Sequence, residues 1–155
     1  MKRVLFVCLG NICRSPTAHG VFQALVNQQD LSDVIAVDSA GTAAYHVGNP
    51  PDHRSTAVAA KRGYDLSPLR ARQARISDFS EYDYILAMDE SNLQHLFEIK
   101  PKSYTGHLGL FLQFTDMSED EVPDPYYGGG DGFEYVLDLV ESASHGLLAE
   151  IKRAL

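Results

Sequence analysis

Val4-Leu5-Phe6-Val7-Cys8-Leu9-Gly10-Asn11-Ile12-Cys13-Arg14-Ser15-Pro16 is the stretch from which the fold can be read. The apolar run before Cys8 has the length and composition of a buried strand. Ser15 as N-cap and Pro16 at the first helical position predict a helix directly after it, with Ala18, Val21, Phe22 and Leu25 on one face. The loop between them places a thiol at a helix N-terminus, where unsatisfied amides and the macrodipole favour a thiolate and attract phosphate. Gly10 and Asn11 are residue types that let backbone amides turn inward, and Arg14 adds a planar fork of donors that can hold two oxygens of a tetrahedral anion. Residues Leu9, Gly10, Asn11, Ile12, Cys13, Arg14 and Ser15 therefore form an expected anion cradle, with Cys8 as nucleophile on its floor.

Outward from this stretch the chain keeps a strand–helix rhythm. Apolar runs at 3–8, 34–39 and 82–87 predict strands, with a fourth near His107. Asp52 can cap a helix over 54–61 that stops at Gly63. Asp89 can start another, through Leu93 and Phe97, that ends before Pro101. A last helix begins after Asp131, with Glu134 three residues on as a capping box, and turns Val136, Leu137, Val140, Leu147, Leu148 and Ile151 inward. Alternating strands and helices imply one α/β domain over 1–155, with a parallel sheet covered on both faces and its ligand beyond the carboxyl ends of the strands. Cys8, the Ser39-Ala40-Gly41-Thr42 stretch and Met88-Asp89 all fall at such ends.

Composition narrows the function. The chain has 155 residues, is 45% hydrophobic and 22% charged, and carries a formal net charge of -8, which argues against a nucleic-acid surface. No run is long enough to insert in a membrane, and the chain reads as cytoplasmic. Two cysteines five positions apart cannot form a disulfide framework and read as reactive thiols. The histidines lack metal-ligand spacing, so neither a metal nor a cofactor is expected. A nucleotide P-loop and a dinucleotide fingerprint are both absent.

Cleaving a phosphate ester through a cysteine needs a clamp, an acid for the leaving oxygen and a base for water. Asp124, between Pro123 and Pro125, is the candidate for acid and base, because flanking prolines fix its direction. Tyr45, Tyr126 and Tyr127 could wall a slot for an aryl group deep enough to prefer phosphotyrosine. Ser15 can donate to the thiolate, and Asn11, Ser39 and Asp89 are candidates for holding the loop's amides inward. Cys13 either packs beneath the loop or acts as a resolving thiol for oxidised Cys8.

Taken together, residues 7–16, Ser39-Ala40-Gly41-Thr42, Val47-Gly48, Pro51-Asp52, Ala71-Arg72-Gln73, Met88-Asp89-Glu90-Ser91-Asn92 and Val122-Pro123-Asp124-Pro125-Tyr126 resemble the low-molecular-weight protein tyrosine phosphatases. The resemblance implies a doubly wound four-stranded parallel sheet of the phosphatase I, flavodoxin-like type. It also implies metal-free hydrolysis of phosphotyrosine through a phosphocysteine on Cys8, with Arg14 as clamp, Asp124 as acid and base, Tyr45 and Tyr126 as aromatic wall, and Cys8 with Cys13 as the redox pair. The implied partner is a phosphotyrosine protein, with a bacterial tyrosine kinase as the family-level expectation, and the chain is expected to be a monomer or weak dimer. Leu69 stands where many relatives carry a histidine that supports Asn11. Two other readings share the cradle. A thioredoxin-coupled arsenate reductase would need cysteines after Cys13, which are missing, and a non-catalytic phosphotyrosine-binding module would not need Asp124.

Overall fold

In the first strand, alternation decides where each side chain goes. β1 (Lys2–Cys8) sends Val4, Phe6 and Cys8 to one face and Leu5 and Val7 to the other, and both sets are buried. A strand buried on both faces has no polar side to present, which is why residues 4–8 are apolar at every position. β2 (Ile35–Gly41) pairs with it in parallel on one edge, Cys8 opposite Gly41. β3 (Tyr84–Ala87) pairs in parallel on the other edge, and β4 (His107–Leu110) lies outside β3, giving the order β2-β1-β3-β4. This computed structural model describes residues 1–126 and 131–155.

Two helices cover the first face: α1 (Arg14–Gln28) through Val21, Phe22 and Leu25, and, after the intervening elements, a long carboxy-terminal helix. Phe6 stands between them and the 3-10 turn Phe111–Phe114, edge-on to Phe22 at 5.8 Å and to Phe111 at 4.9 Å. α2 (His53–Lys61) packs beside this pair, capped by Asp52, which accepts the Arg54 amide at 2.8 Å, and ending before Gly63, whose φ of 90° suits glycine. On the opposite face α3 (Asp78–Glu81) and α4 (Glu90–Ile99) bring Phe79 and Leu96 against Leu5, Val7, Ile85 and Ala87. The last helix, α5 (Asp131–Arg153), closes the first core with Leu137, Leu139, Val140, Leu147 and Ile151. The connection after β1 leads to β2 on one side and that after β3 leads to β4 on the other, so the loops at these two strand ends diverge and leave a crevice between them.

The expected elements are present with shifted ends. α1 starts at Arg14, with Cys13 as an N-cap that makes no side-chain cap bond, so Ser15 is not the cap. Pro16 then sits in the first turn, where its missing N–H has no intrahelical partner to lose. β2 runs past Ser39 to Gly41, carried on by its pairing with Cys8. Glu134 pairs with Arg62 at 2.8 Å. α3 and the 3-10 turn are too short to give a periodic pattern.

Candidate active site

The loop after β1 rises past β2 at unusually close range. A Cβ on Gly41 would lie 2.7 Å from the Leu9 carbonyl and 3.1 Å from the Asn11 amide nitrogen, so only glycine admits the loop here. Thr42 and Ala43 donate their amides to the carbonyls of Cys8 and Leu9, both at 2.9 Å. With its carbonyls tied outward, the loop turns amides in. Asn11, in the left-handed region at φ 58°, donates its amide to Cys8 Sγ at 3.3 Å. The amides of Gly10, Ile12 and Cys13 find no acceptor among the described residues, and those of Arg14 and Ser15 belong to the unpaired first turn of α1. The Asn11 amide meets the sulfur, and the others are unpaired donors on the same loop.

The sulfur is held from below. Ser15 Oγ lies 3.0 Å from Cys8 Sγ and 3.3 Å from the Ala40 carbonyl, to which it can donate, and accepts a bond from Asn11 Nδ2 at 2.8 Å. Asn11 is braced in turn by the Arg72 amide, which donates to its Oδ1 at 3.0 Å. Arg72 is fixed by Asp78, which takes both terminal guanidinium nitrogens at 3.1 Å, and by Asp38, which accepts from Nε at the same distance. Leu69 thus leaves no gap in the support of Asn11, because a backbone amide three residues later supplies the donor.

Arg14 lies under the cradle with only 3% of its side chain exposed. Its Nη1 donates to Asp89 Oδ2 at 2.6 Å and to the Val122 carbonyl at 3.1 Å, while Nη2 lies 3.6 Å from Asp124 Oδ2. Burial opposes its charge, but Cys8, Asp89 and Asp124 outweigh that cost and raise its pKa. Asp89 is doubly used, because its other oxygen caps α4 by accepting the Asn92 amide at 2.8 Å. Val122 donates its amide to the Met88 carbonyl at 2.8 Å, which fastens the acid segment to the end of β3. Asp124 accepts the Tyr126 amide on Oδ1 at 3.0 Å, leaving Oδ2 on the Arg14 side.

Cys8, Arg14 and Asp124 line a cavity of about 270 Å³ together with Tyr45, His46 and Tyr126. A larger groove of about 830 Å³ lies at the amino-terminal end of the sheet, between Lys2, Asp83, Tyr84, Tyr104 and His107, and contains none of the cradle's residues. The candidate residues lie at the smaller cavity. A thiol, a buried fork, a carboxyl and a loop carrying unpaired amides meet there, an arrangement suited to a tetrahedral phosphoryl group.

The family model for low molecular weight phosphotyrosine protein phosphatase matches residues 3–155. The chain belongs to this family. It is 44% identical over 154 residues to a Streptomyces coelicolor low molecular weight protein-tyrosine-phosphatase, covering 97% of this chain and 93% of that one. It is 44% identical over 137 residues to the human low molecular weight phosphotyrosine protein phosphatase, covering 87% and 86%. The crystal structure of an Entamoeba histolytica protein tyrosine phosphatase, with Hepes in its active site, superposes with a TM-score of 0.95 at 39% identity, covering 99% of each chain.

Within this phosphatase most of the expected site residues meet at one cavity. Cys8, Leu9, Gly10, Ile12, Cys13, Arg14, Tyr45, Asp124 and Tyr126 line it, and Asn11 and Ser15 stand directly behind Cys8. Asp89 holds the Arg14 side chain rather than any loop amide. Ser39 does not reach the loop. It faces α1, where its hydroxyl meets His19 Nδ1 at 2.9 Å. Tyr127 lies outside the described residues. Cys13 is a free, buried thiol, as is Cys8, and burial, then the nearby Asp52 carboxylate, pushes its pKa up to about 12. His46 was not foreseen: it covers Gly10, with ring Cδ2 2.8 Å from where a Cβ would stand. The Val122 carbonyl and the Arg72 amide were missed for a simple reason, since backbone donors and acceptors carry no residue-type signal.

Proposed function

We propose that this phosphatase hydrolyses phosphotyrosine in two steps, with Cys8 as nucleophile and Asp124 as acid and then base. The phosphate's equatorial oxygens take the loop amides and the Arg14 fork, which leaves phosphorus in line with the sulfur. The thiolate forms the S–P bond as the P–O bond to the phenol breaks, and Asp124 gives its proton to the departing oxygen. The resulting carboxylate removes a proton from water. The hydroxyl attacks phosphorus, the S–P bond breaks, and Cys8 leaves as a thiolate stabilised by Ser15 and the Asn11 amide.

One observation carries this reading: Asp124 Oδ2 stands 3.6 Å from Arg14 Nη2, so the only carboxyl lining the cavity among the described residues borders the clamp that would fix the phosphate. Arg14 and the amides provide the positive charge that a metal would otherwise supply, so the reaction runs without one. The Hepes in the Entamoeba structure supports an anion cradle, because its sulfonate has the tetrahedral shape of a phosphate. The exposed Tyr45 and half-exposed Tyr126 rings give the mouth a flat aromatic wall, which suits a phosphotyrosine side chain presented by a protein in the cytoplasm, for which a bacterial tyrosine kinase is a candidate.

Rapid quench of enzyme mixed with an aryl phosphate, in denaturant under conditions that preserve a phosphothiolate, followed by mass spectrometry, should find phosphate on Cys8 of the wild type and none on Cys8→Ser. A wild-type enzyme that turns over with no adduct on Cys8 would overturn the mechanism.

A further inference from the structure

Arg54 stands outside the cavity, yet it touches the segments on both sides of it. Its Nε and Nη2 donate to the two oxygens of Asp52 at 3.1 and 3.0 Å, and the Asp52 amide donates to the Ile12 carbonyl at 2.7 Å. That anchors the guanidinium to the phosphate loop. Its faces are used as well: the central carbon lies 5.3 Å from the centroid of the Tyr126 ring and 4.7 Å from that of Phe133, the latter buried in the first turns of α5. The Tyr126 amide donates to Asp124 Oδ1. A continuous path therefore runs from the phosphate loop through Asp52 and Arg54 to Tyr126 and the carboxyl.

We propose that Arg54 is a positioning residue for the acid: it sets the Asp124–Tyr126 segment at a fixed distance from the phosphate loop, so that the Asp124 carboxyl meets the leaving oxygen. A planar guanidinium can bind a carboxylate along its edge while presenting its faces to aromatic rings, whereas an ammonium is a single point with no edge and no face. The phosphate's own contacts do not pass through Arg54, so phosphate binding and the thiolate remain intact when it is changed. Only the proton transfer depends on it, and that transfer matters most when the leaving oxygen is most basic. The inference rests on Asp124 being the acid.

The experiment is a leaving-group series: kcat/KM for aryl phosphates whose phenols range from acidic nitrophenols to phenol itself, with wild type, Asp124→Asn, Arg54→Met, Arg54→Gln and Arg54→Lys. Arg54→Met and Arg54→Gln should lose about tenfold on phenyl phosphate and less than about twofold on the nitrophenyl ester, steepening the dependence in the direction of Asp124→Asn. Arg54→Lys should recover only part of the loss, and inhibition by inorganic phosphate should be unchanged in all three Arg54 variants. Adding Arg54→Met to Asp124→Asn should steepen the slope no further. An equal loss on every ester would mean fewer active molecules and would overturn the proposal, as would an unchanged slope in the Arg54 variants. If Asp124→Asn itself leaves the slope unchanged, the acid assignment falls and this proposal with it. A steep Asp124→Asn beside flat Arg54 variants removes this proposal alone.

Discussion

Arg14 shows how much one side chain can be asked to do. Its Nη1 is already committed to Asp89 and the Val122 carbonyl, which fixes the plane of the guanidinium before any phosphate arrives. The pre-set plane matters because a fork aligned in advance costs no reorganisation when charge develops on the equatorial oxygens. Lysine keeps the charge but cannot satisfy Asp89 and the carbonyl and still present two parallel donors. Arg14→Lys should therefore lower kcat by about a hundredfold or more, the scale associated with removing one oriented donor from a developing oxyanion. Steady-state kinetics on an aryl phosphate checks this, and a variant within tenfold of wild type would mean that charge alone is enough. That Cys8, Arg14 and Asp124 meet at one cavity was legible in the sequence because each was picked out by a residue type at a spacing. Ser39 was misjudged because residue type does not report level along a strand: it shares the α1 face with Phe6 and Cys8 but stands opposite Phe6, two residues short of the loop, where His19 meets its hydroxyl.

Among the elements, β1 and the two helices that follow strand ends were readable because each carries its own punctuation: an apolar run, a capping aspartate, a glycine or proline stop. The cap of α1 was not, because the hydroxyl that would have served it is drawn to Cys8, Asn11 and the Ala40 carbonyl. Function here overrides the local preference. The joint between α1 and β2 carries a pH signature of its own. His19 lies against Ser39, and burial lowers its pKa from the ordinary 6.5, opposed by the Asp38 carboxylate. The sign follows from which state binds the proton first. As pH falls through about 6.5 the unfolded chain takes up a proton that the folded chain still refuses, so stability is complete above that value and is lost on acidification. Urea unfolding between pH 7.5 and 5, taken as about one unit either side of the free imidazole value, should show a decline in stability that is smaller in His19→Gln. An identical decline in both proteins would assign it to other groups.

At the scale of the molecule, an acidic protein has to capture an acidic ligand. The formal charge of -8 repels a dianion at long range, so the binding energy has to arise within the few ångströms spanned by the loop amides and Arg14. That arrangement exists only when β1, β2 and β3 are in register, because Gly41 and Arg72 brace the loop while Asp89 and Val122 fix the Arg14 side chain, all from separate parts of the chain. The unfolded chain has no such site, and phosphate must therefore stabilise the fold by mass action. Inorganic phosphate at about a hundred times its dissociation constant adds about 2.7 kcal/mol. For a domain of this size that raises Tm by about 5–10 °C. Differential scanning fluorimetry of wild type and Arg14→Ala, in phosphate and in chloride of matched ionic strength, separates this from a general salt effect: the shift should appear in wild type with phosphate and largely vanish in Arg14→Ala. A full shift in Arg14→Ala would place the bound anion away from the loop after β1, and the assignment of the cradle would fail with it.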